Sequence, residues 1–435
     1  MRIAMIVAGA GSMYCGACAR DSDLARGLRA IGHDIAIFPI YTPLRLEEDL
    51  EVRQEPLQIG GINAFLREKS PRLSHLLKPF HRWLDSPALI TWASQFAVRT
   101  QASDLGQMTA SFLSGAKGAH SAEIQALANS VAEFHPEVVI LANSLLAGLI
   151  EQLKNTTGAV IVCQVQGEDG FLDELPEPWH GRSMALLQDR VKDAEGFIAP
   201  CADHAEQMSI RLNQDLAKFF LVPPGVASAS AHAKPSTTVT HIGHLSSIRR
   251  AKGLDVLVSA LAQLHDVPLK VSVRGKVLEP AFYQELVQMV GDAKVNVEFG
   301  GEISPHEKRA FLGGCDFLVL PSRLHESRAI VALEALACGT PVIAPATGIF
   351  PELAKNTGGV ALYSGSDSLS KTIRRCVADK LEWRERGESA ALAIAEQYSI
   401  AQSAKAAERC LKDILEKERL SRCGYTKSTQ ALEQG

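Results

Sequence analysis

Glu326-Ser327-Arg328-Ala329-Ile330-Val331-Ala332-Leu333-Glu334-Ala335-Leu336-Ala337-Cys338-Gly339-Thr340-Pro341-Val342-Ile343 carries two glutamates eight positions apart, the second inside an almost wholly apolar helical run. Just upstream, Cys315-Asp316-Phe317-Leu318-Val319-Leu320-Pro321-Ser322 reads as a buried strand closed by a turn. Strand, turn, helix and a further strand at 341–343 make the repeating unit of a parallel sheet flanked by helices. An ionised carboxylate in such a helix needs a polar partner, because unpaired burial costs several kcal/mol.

Outward from this unit the same alternation fills the chain. Strands are expected at 3–7, 34–38, 138–141, 160–164, 196–199 and 219–222, then at 239–242, 269–273, 295–299, 317–320, 341–343 and 360–362. A chain of 435 residues is too long for one core. Each half is therefore expected to fold as its own doubly wound, Rossmann-like α/β domain. The first spans 1–228, with an insertion over about 60–125, and the second spans 229–395. Pro223-Pro224-Gly225 ends a strand, and the small, polar stretch 227–238 reads as a linker. Helical periodicity runs from 396 to about 420, and 421–435 reads as a flexible tail.

The composition, 46% hydrophobic and 22% charged with a net charge of −4, is that of an ordinary soluble protein. It gives no support to nucleic acid as the main partner. No apolar run reaches the roughly 18 to 20 residues that span a bilayer. Met1-Arg2 leads directly into Ile3-Ala4-Met5-Ile6-Val7, a first strand rather than a secretory signal. Nine scattered cysteines fit a reducing, cytoplasmic setting. Cys15-Gly16-Ala17-Cys18 has metal or redox spacing, but no second close pair completes a zinc site, so local packing is the preferred reading. Segment 65–100 mixes Arg67, Lys69, Arg72, Lys78 and Arg82 with Leu76, Leu77, Phe80 and Trp83. Such a stretch is a helical insertion with a solvated face, or a peripheral contact with an anionic inner membrane face.

For the chemistry, Glu326 is expected at or just before the helix N-terminus and Glu334 about two turns further in. Eight residues of helix would separate them by about 12 Å. Between them the free N–H groups of Ser327, Arg328, Ala329 and Ile330 offer a seat for a diphosphate. Each carboxylate can accept hydrogen bonds from vicinal hydroxyls of a ribose or hexose. The competing reading pairs Glu334 with a nearby lysine or arginine and leaves Glu326 to favour the helix dipole. Gly243-His244-Leu245 closes the first strand of the second half, and Arg249-Arg250-Ala251-Lys252-Gly253 precedes the next helix. Cations at the C-terminal edge of a parallel sheet are placed to meet an anion.

Taken in order, these elements resemble the donor domain of family 4 glycosyltransferases, retaining enzymes of the GT-B type. The resemblance runs through Gly243, Lys252-Gly253, Gly300-Gly301-Glu302, Pro321-Ser322, the Glu326/Glu334 helix, Ala337 to Ile343, and Gly348 with Pro351-Glu352. The first half resembles the acceptor domain more weakly, through the glycine loop ending at Gly16, Gly32-His33-Asp34 and Gly60-Gly61-Ile62-Asn63. It implies two domains facing a cleft, a terminal helix crossing back to the first, and transfer of a hexose from a nucleotide-sugar to an acceptor hydroxyl of a glycan, lipid or small molecule. Glu334 would hold the ribose, Glu326 a hydroxyl of the donor sugar, and Lys252 the diphosphate, with Gly16 allowing close approach. His244 stands where the family commonly has arginine, for which Arg249 or Arg250 would substitute, and Ala329 stands where glycine is usual. In place of a common histidine the chain reads Gln166, which cannot act as a base, so Glu168 and Asp169 become candidates for acceptor activation, against a helix-capping role. Gln166, Arg20, Asp21 and Asn63 complete the acceptor-side set. Asp21-Ser22-Asp23 mimics a metal-binding DxD, but acids at a helix start are favoured without metal. Neither a metal nor a cofactor beyond the nucleotide-sugar is expected. The rival readings are a non-catalytic nucleotide-sugar-binding subunit, a dinucleotide oxidoreductase, and a GT-B epimerase or phosphorylase.

Overall fold

The computed structural model describes residues 1–7, 16–40, 102–227 and 238–432. The expectations for the glycine loop before Gly16, Cys15, Asn63, the basic stretch 65–100 and the linker core therefore fall outside the described residues, as does the side chain of Cys18. Two six-stranded sheets are formed, in the orders β2-β1-β3-β4-β5-β6 and β12-β11-β10-β7-β8-β9. The first holds β1 (Arg2–Val7), β2 (Asp34–Pro39), β3 (Val138–Leu141), β4 (Val160–Gln164), β5 (Gly196–Ala199) and β6 (Phe219–Leu221). The second holds β7 (Thr240–Leu245), β8 (Leu269–Arg274), β9 (Val297–Phe299), β10 (Phe317–Val319), β11 (Val342–Pro345) and β12 (Val360–Tyr363). Every pairing is parallel. All twelve expected strands are present, with ends moved by a few residues. β3 and β4 are buried at every position, and their continuous Val/Ile/Leu/Cys runs suit strands covered on both faces.

Each sheet reverses its winding once. In the first the switch lies between β1 and β3, with Ile3 opposite Val138. In the second it lies between β7 and β10, with Leu318 opposite Gly243. Ligands of open parallel sheets bind outside the strand C-termini at such a point. That rule directs attention to Ala142–Ser144 and to the turns after Leu245 and Val319.

The chain divides into two compact units, Met1–Val222 with Ala404–Gly435, and Pro223–Ser403. The helix Ile400–Leu432 supplies Ala404, Ala407, Cys410, Leu411 and Ile414 to the core of the first unit. A Cβ on Gly196 would lie 2.5 Å from Ile414 Cδ1, so the helix packs closely on that strand position. The helix continues past the limit near Leu420 because no proline interrupts 421–432, and the single Gly424 only weakens it. The helix Ala102–Leu113, within the stretch expected as an insertion, and Ser121–Glu133, which runs past its end, place Phe112, Leu113, Ile124 and Leu127 in the same core. No described helix is long and apolar enough to cross a membrane.

Candidate active site

At the end of β7, His244 is 1% exposed. Its Nδ1 lies 2.8 Å from the Val319 carbonyl of β10 and its Nε2 lies 2.8 Å from the Ser246 hydroxyl. The carbonyl can only accept, so Nδ1 carries the ring proton. Burial drives the imidazole pKa down to about 4, opposed by the Val319 bond and aided by nearby Lys252. His244 is thus a neutral strut between adjacent strands and supplies no charge for an anion.

The following loop is fixed at several points. Ile248 bridges Val277, and its amide donates to the Lys276 carbonyl at 2.8 Å. The Arg249 carbonyl accepts from the Lys252 amide at 3.0 Å, closing a 3-10 turn over Arg250–Lys252. Gly253 then takes φ +70°, and a Cβ there would lie 1.9 Å from the Pro321 carbonyl oxygen. Only glycine allows the β7 and β10 loops to close up in this way. Arg323 locks the contact, donating to both oxygens of Asp255 at 2.7 Å and to the Arg250 carbonyl at 2.8 Å. Burial acts to raise the Asp255 carboxyl, but the Arg323 guanidinium prevails and holds it below its usual range.

The cations of this loop differ in their commitments. Lys252 pairs with Glu326 at 2.5 Å. Arg250 pairs with Glu285 and lies over the Phe282 ring, both on the Pro280–Ala293 helix. Arg249 makes no ion pair among the described residues, and its Nε is buried without a hydrogen-bond partner.

Glu326 also accepts from the Ser322 hydroxyl at 2.7 Å, and its carbonyl accepts from the Ile349 amide at 2.9 Å. Gly348, at φ +61°, lets that backbone pass, since a Cβ would sit 2.4 Å from the Glu326 carbonyl oxygen. The helix begins later than expected, spanning Ile330–Ala337. Ala329 precedes it at φ +40° and ψ +46°, a left-handed conformation that costs an L-residue about 1–2 kcal/mol. Glu326, Ser327 and Arg328 are therefore outside the helix, so the rise of a continuous helix does not set the spacing of the two glutamates. Ala332 and Leu333 donate to the Ala329 carbonyl at 2.8 and 3.1 Å. The first-turn amides of Ile330 and Val331 precede those two bonds and are the helix's leading donors.

Glu334 is not left alone: its Oε1 accepts from Lys308 at 2.5 Å, and the side chain is 24% exposed. Oε2 is buried without a partner. The competing sequence reading, a Lys–Glu pair, is thus realised at one oxygen, while the other keeps unused accepting capacity. Lys308, on the Pro305–Gly314 helix, was invisible in sequence because nothing local marks which distant helix meets Glu334. At Gly243 a Cβ would lie 2.5 Å from Cys315 Sγ.

In the first unit, Gly16 opens the helix Gly16–Ala30, which carries Arg20 and Asp21 into the interior at 4% and 3% exposure. Arg20 donates to Gln166 Oε1 at 2.9 Å, Gln164 donates to Asp21 at 3.0 Å, and Gln166 also donates to the Ala142 carbonyl. Glu168 accepts three bonds, from the Ser144 hydroxyl (2.6 Å), the Ser144 amide (3.1 Å) and the Gln166 amide (2.7 Å). It starts the Asp169–Asp173 helix without capping it by its side chain. The Glu168 carboxylate thus ties the turn after β3 to the loop after β4. Asp169 lies half-buried in the first helical turn, suited to the helix dipole. Of the DxD string, Asp21 serves Gln164 and Asp23 pairs with Arg26. No group of three or more His, Cys, Asp or Glu that could hold a metal gathers among the described residues.

Residues 230–393 match the family model described as glycosyl transferases group 1. D-inositol 3-phosphate glycosyltransferase of Pseudarthrobacter chlorophenolicus is 30% identical over 192 residues, 40% of this chain and 44% of that protein. The chain thus spans less than half the length of that relative. Among solved structures, Anabaena HepE in complex with UDP and glucose superposes with a TM-score of 0.65 at 15% identity, over 95% of this chain and 99% of that one. Sucrose-phosphate synthase from Thermosynechococcus elongatus gives 0.64 at 16% identity, over 96% and 99%. The fold is that of GT-B glycosyltransferases.

Proposed function

We propose that this chain transfers a hexose from a nucleotide-diphosphate sugar to an acceptor hydroxyl, with retention of anomeric configuration. The observation that carries the reading is Glu334, one oxygen held by Lys308 and the other buried without a partner, inside the segment that matches the group 1 transferases. A vicinal diol of a ribose would satisfy that second oxygen. Glu326, oriented by Ser322 and Lys252, would accept from a hydroxyl of the donor sugar. Lys252 and the amides of Ile330 and Val331 would meet charge on the leaving diphosphate, so that no metal is required. Glu168, tied by three donors, is poorly placed to attack, and departure and attack on one face is the reading taken over a covalent intermediate. The acceptor would be a glycan, lipid or small molecule, and the setting cytoplasmic. UDP is the natural first probe, because HepE binds it.

Thermal shift against UDP-, GDP- and ADP-sugars tests the reading. One base should raise the melting temperature selectively, as a ligand of the folded state does by mass action. Glu334→Ala should abolish the shift and leave the unliganded protein folded. A variant with undiminished donor affinity would remove the assignment. Selective binding without donor consumption across an acceptor panel would instead favour a non-catalytic binding subunit.

A further inference from the structure

We infer that Arg249, rather than Arg250, supplies the positive charge on which the donor's diphosphate rests. The inference depends on the nucleotide-sugar reading and identifies the cation that reading leaves open. A nucleoside diphosphate brings at least two negative charges. At the β7–β10 switch His244 is buried and neutral, bonded to Val319 and Ser246. Lys252 is balanced by Glu326 at 2.5 Å, so that pair has no net charge. Arg250 is spent on Glu285 and Phe282, on the helix beside the loop. Arg323 is bound bidentately to Asp255. Arg249 alone in this loop has no counter-ion among the described residues, and its Nε is a buried donor without an acceptor. Such a donor is costly unless a ligand, or water in its place, completes it.

The loop geometry fits the assignment. Arg249 and Lys252 belong to one turn, joined by the bond from the Lys252 amide to the Arg249 carbonyl. The backbone on either side is held, by the Ile248–Val277 bridge before it and by the Arg250 amide donating to Glu279 at 3.0 Å after it. A planar guanidinium on an anchored backbone is suited to two oxygens of a phosphate. Arg249 would therefore take the place of a charge at the strand end that His244 cannot provide.

Calorimetric titration with UDP, GDP and ADP, and with the matching nucleosides, tests the assignment on the full chain. Arg249→Gln should weaken the bound nucleoside diphosphate by about 10- to 100-fold, leaving nucleoside affinity within about twofold. Arg249→Lys should recover part of the loss, and Arg250→Gln should stay within about twofold of the parent. Full affinity in Arg249→Gln, or a larger loss in Arg250→Gln, overturns the inference while the function reading stands. If the parent chain binds none of the diphosphates, the function reading itself falls, and the assignment of Arg249 with it.

Discussion

Acidification should destabilise the second unit through His244, and the size of the effect follows from its environment. In the unfolded chain an imidazole titrates near pH 6.5. In the folded protein burial brings the value down to about 4. At pH 7 both states are largely neutral at this site. As the pH falls below about 6.5 the unfolded chain takes up a proton that the folded chain refuses, so stability drops until the folded pKa is reached. The linkage relation gives a loss of about 2 kcal/mol between about pH 7 and pH 5 from this one ring. Other groups titrate over the same range, so a control is required. His244→Asn keeps an N–H for the Val319 carbonyl and does not titrate. Urea unfolding can be followed by the fluorescence of Trp383, 7% exposed in the second unit, with the other tryptophans replaced by phenylalanine. The parent should lose about 2 kcal/mol more than His244→Asn over that interval. Parallel stability-versus-pH curves for the two proteins would refute the assignment of a buried, neutral histidine.

Further consequences concern the loops around the site. Glu326→Gln frees Lys252 from its counter-charge, so free nucleoside diphosphate should bind several-fold more tightly while transfer slows; calorimetry and product analysis read the two effects separately. Gly253→Ala places a methyl 1.9 Å from the Pro321 carbonyl at φ +70° and should cost several kcal/mol, whereas Gly301→Ala, at φ +73° with open space around it, should cost only about 1 kcal/mol; equal melting temperatures would contradict this. Ala329→Gly relieves a left-handed alanine and should raise stability by up to about 1 kcal/mol by the same urea assay.

The strands were legible because buried parallel strands are written as short apolar runs with β-branched residues, as in 138–141 and 160–164. Gly253 and Gly348 stood in the sequence only as points of resemblance, and it is the structure that puts both at close backbone approaches. The site was legible only in part. Glu334 announced a partner but could not say that Lys308, 26 positions away in sequence, provides it. Ala329 delayed the helix start, which no periodicity signals, because three of the residues before it are compatible with either state. Arg249 and Arg250 are equivalent in sequence, and only Glu285 and Phe282 tell them apart. Glu168 looked like an acid at a helix start, yet its carboxylate also takes the hydroxyl and amide of Ser144, 24 positions away in the turn after β3.

The contribution of 404–414 to the first unit has a consequence for biosynthesis. Emerging from the ribosome, residues 1–222 would have to wait, with the seam around Gly196 uncovered, until the whole second unit had been translated. A holding chaperone, or transient self-association of nascent chains, is the natural companion of such a delay. Expression of 1–222 alone should yield aggregates that a separately supplied 400–432 peptide rescues.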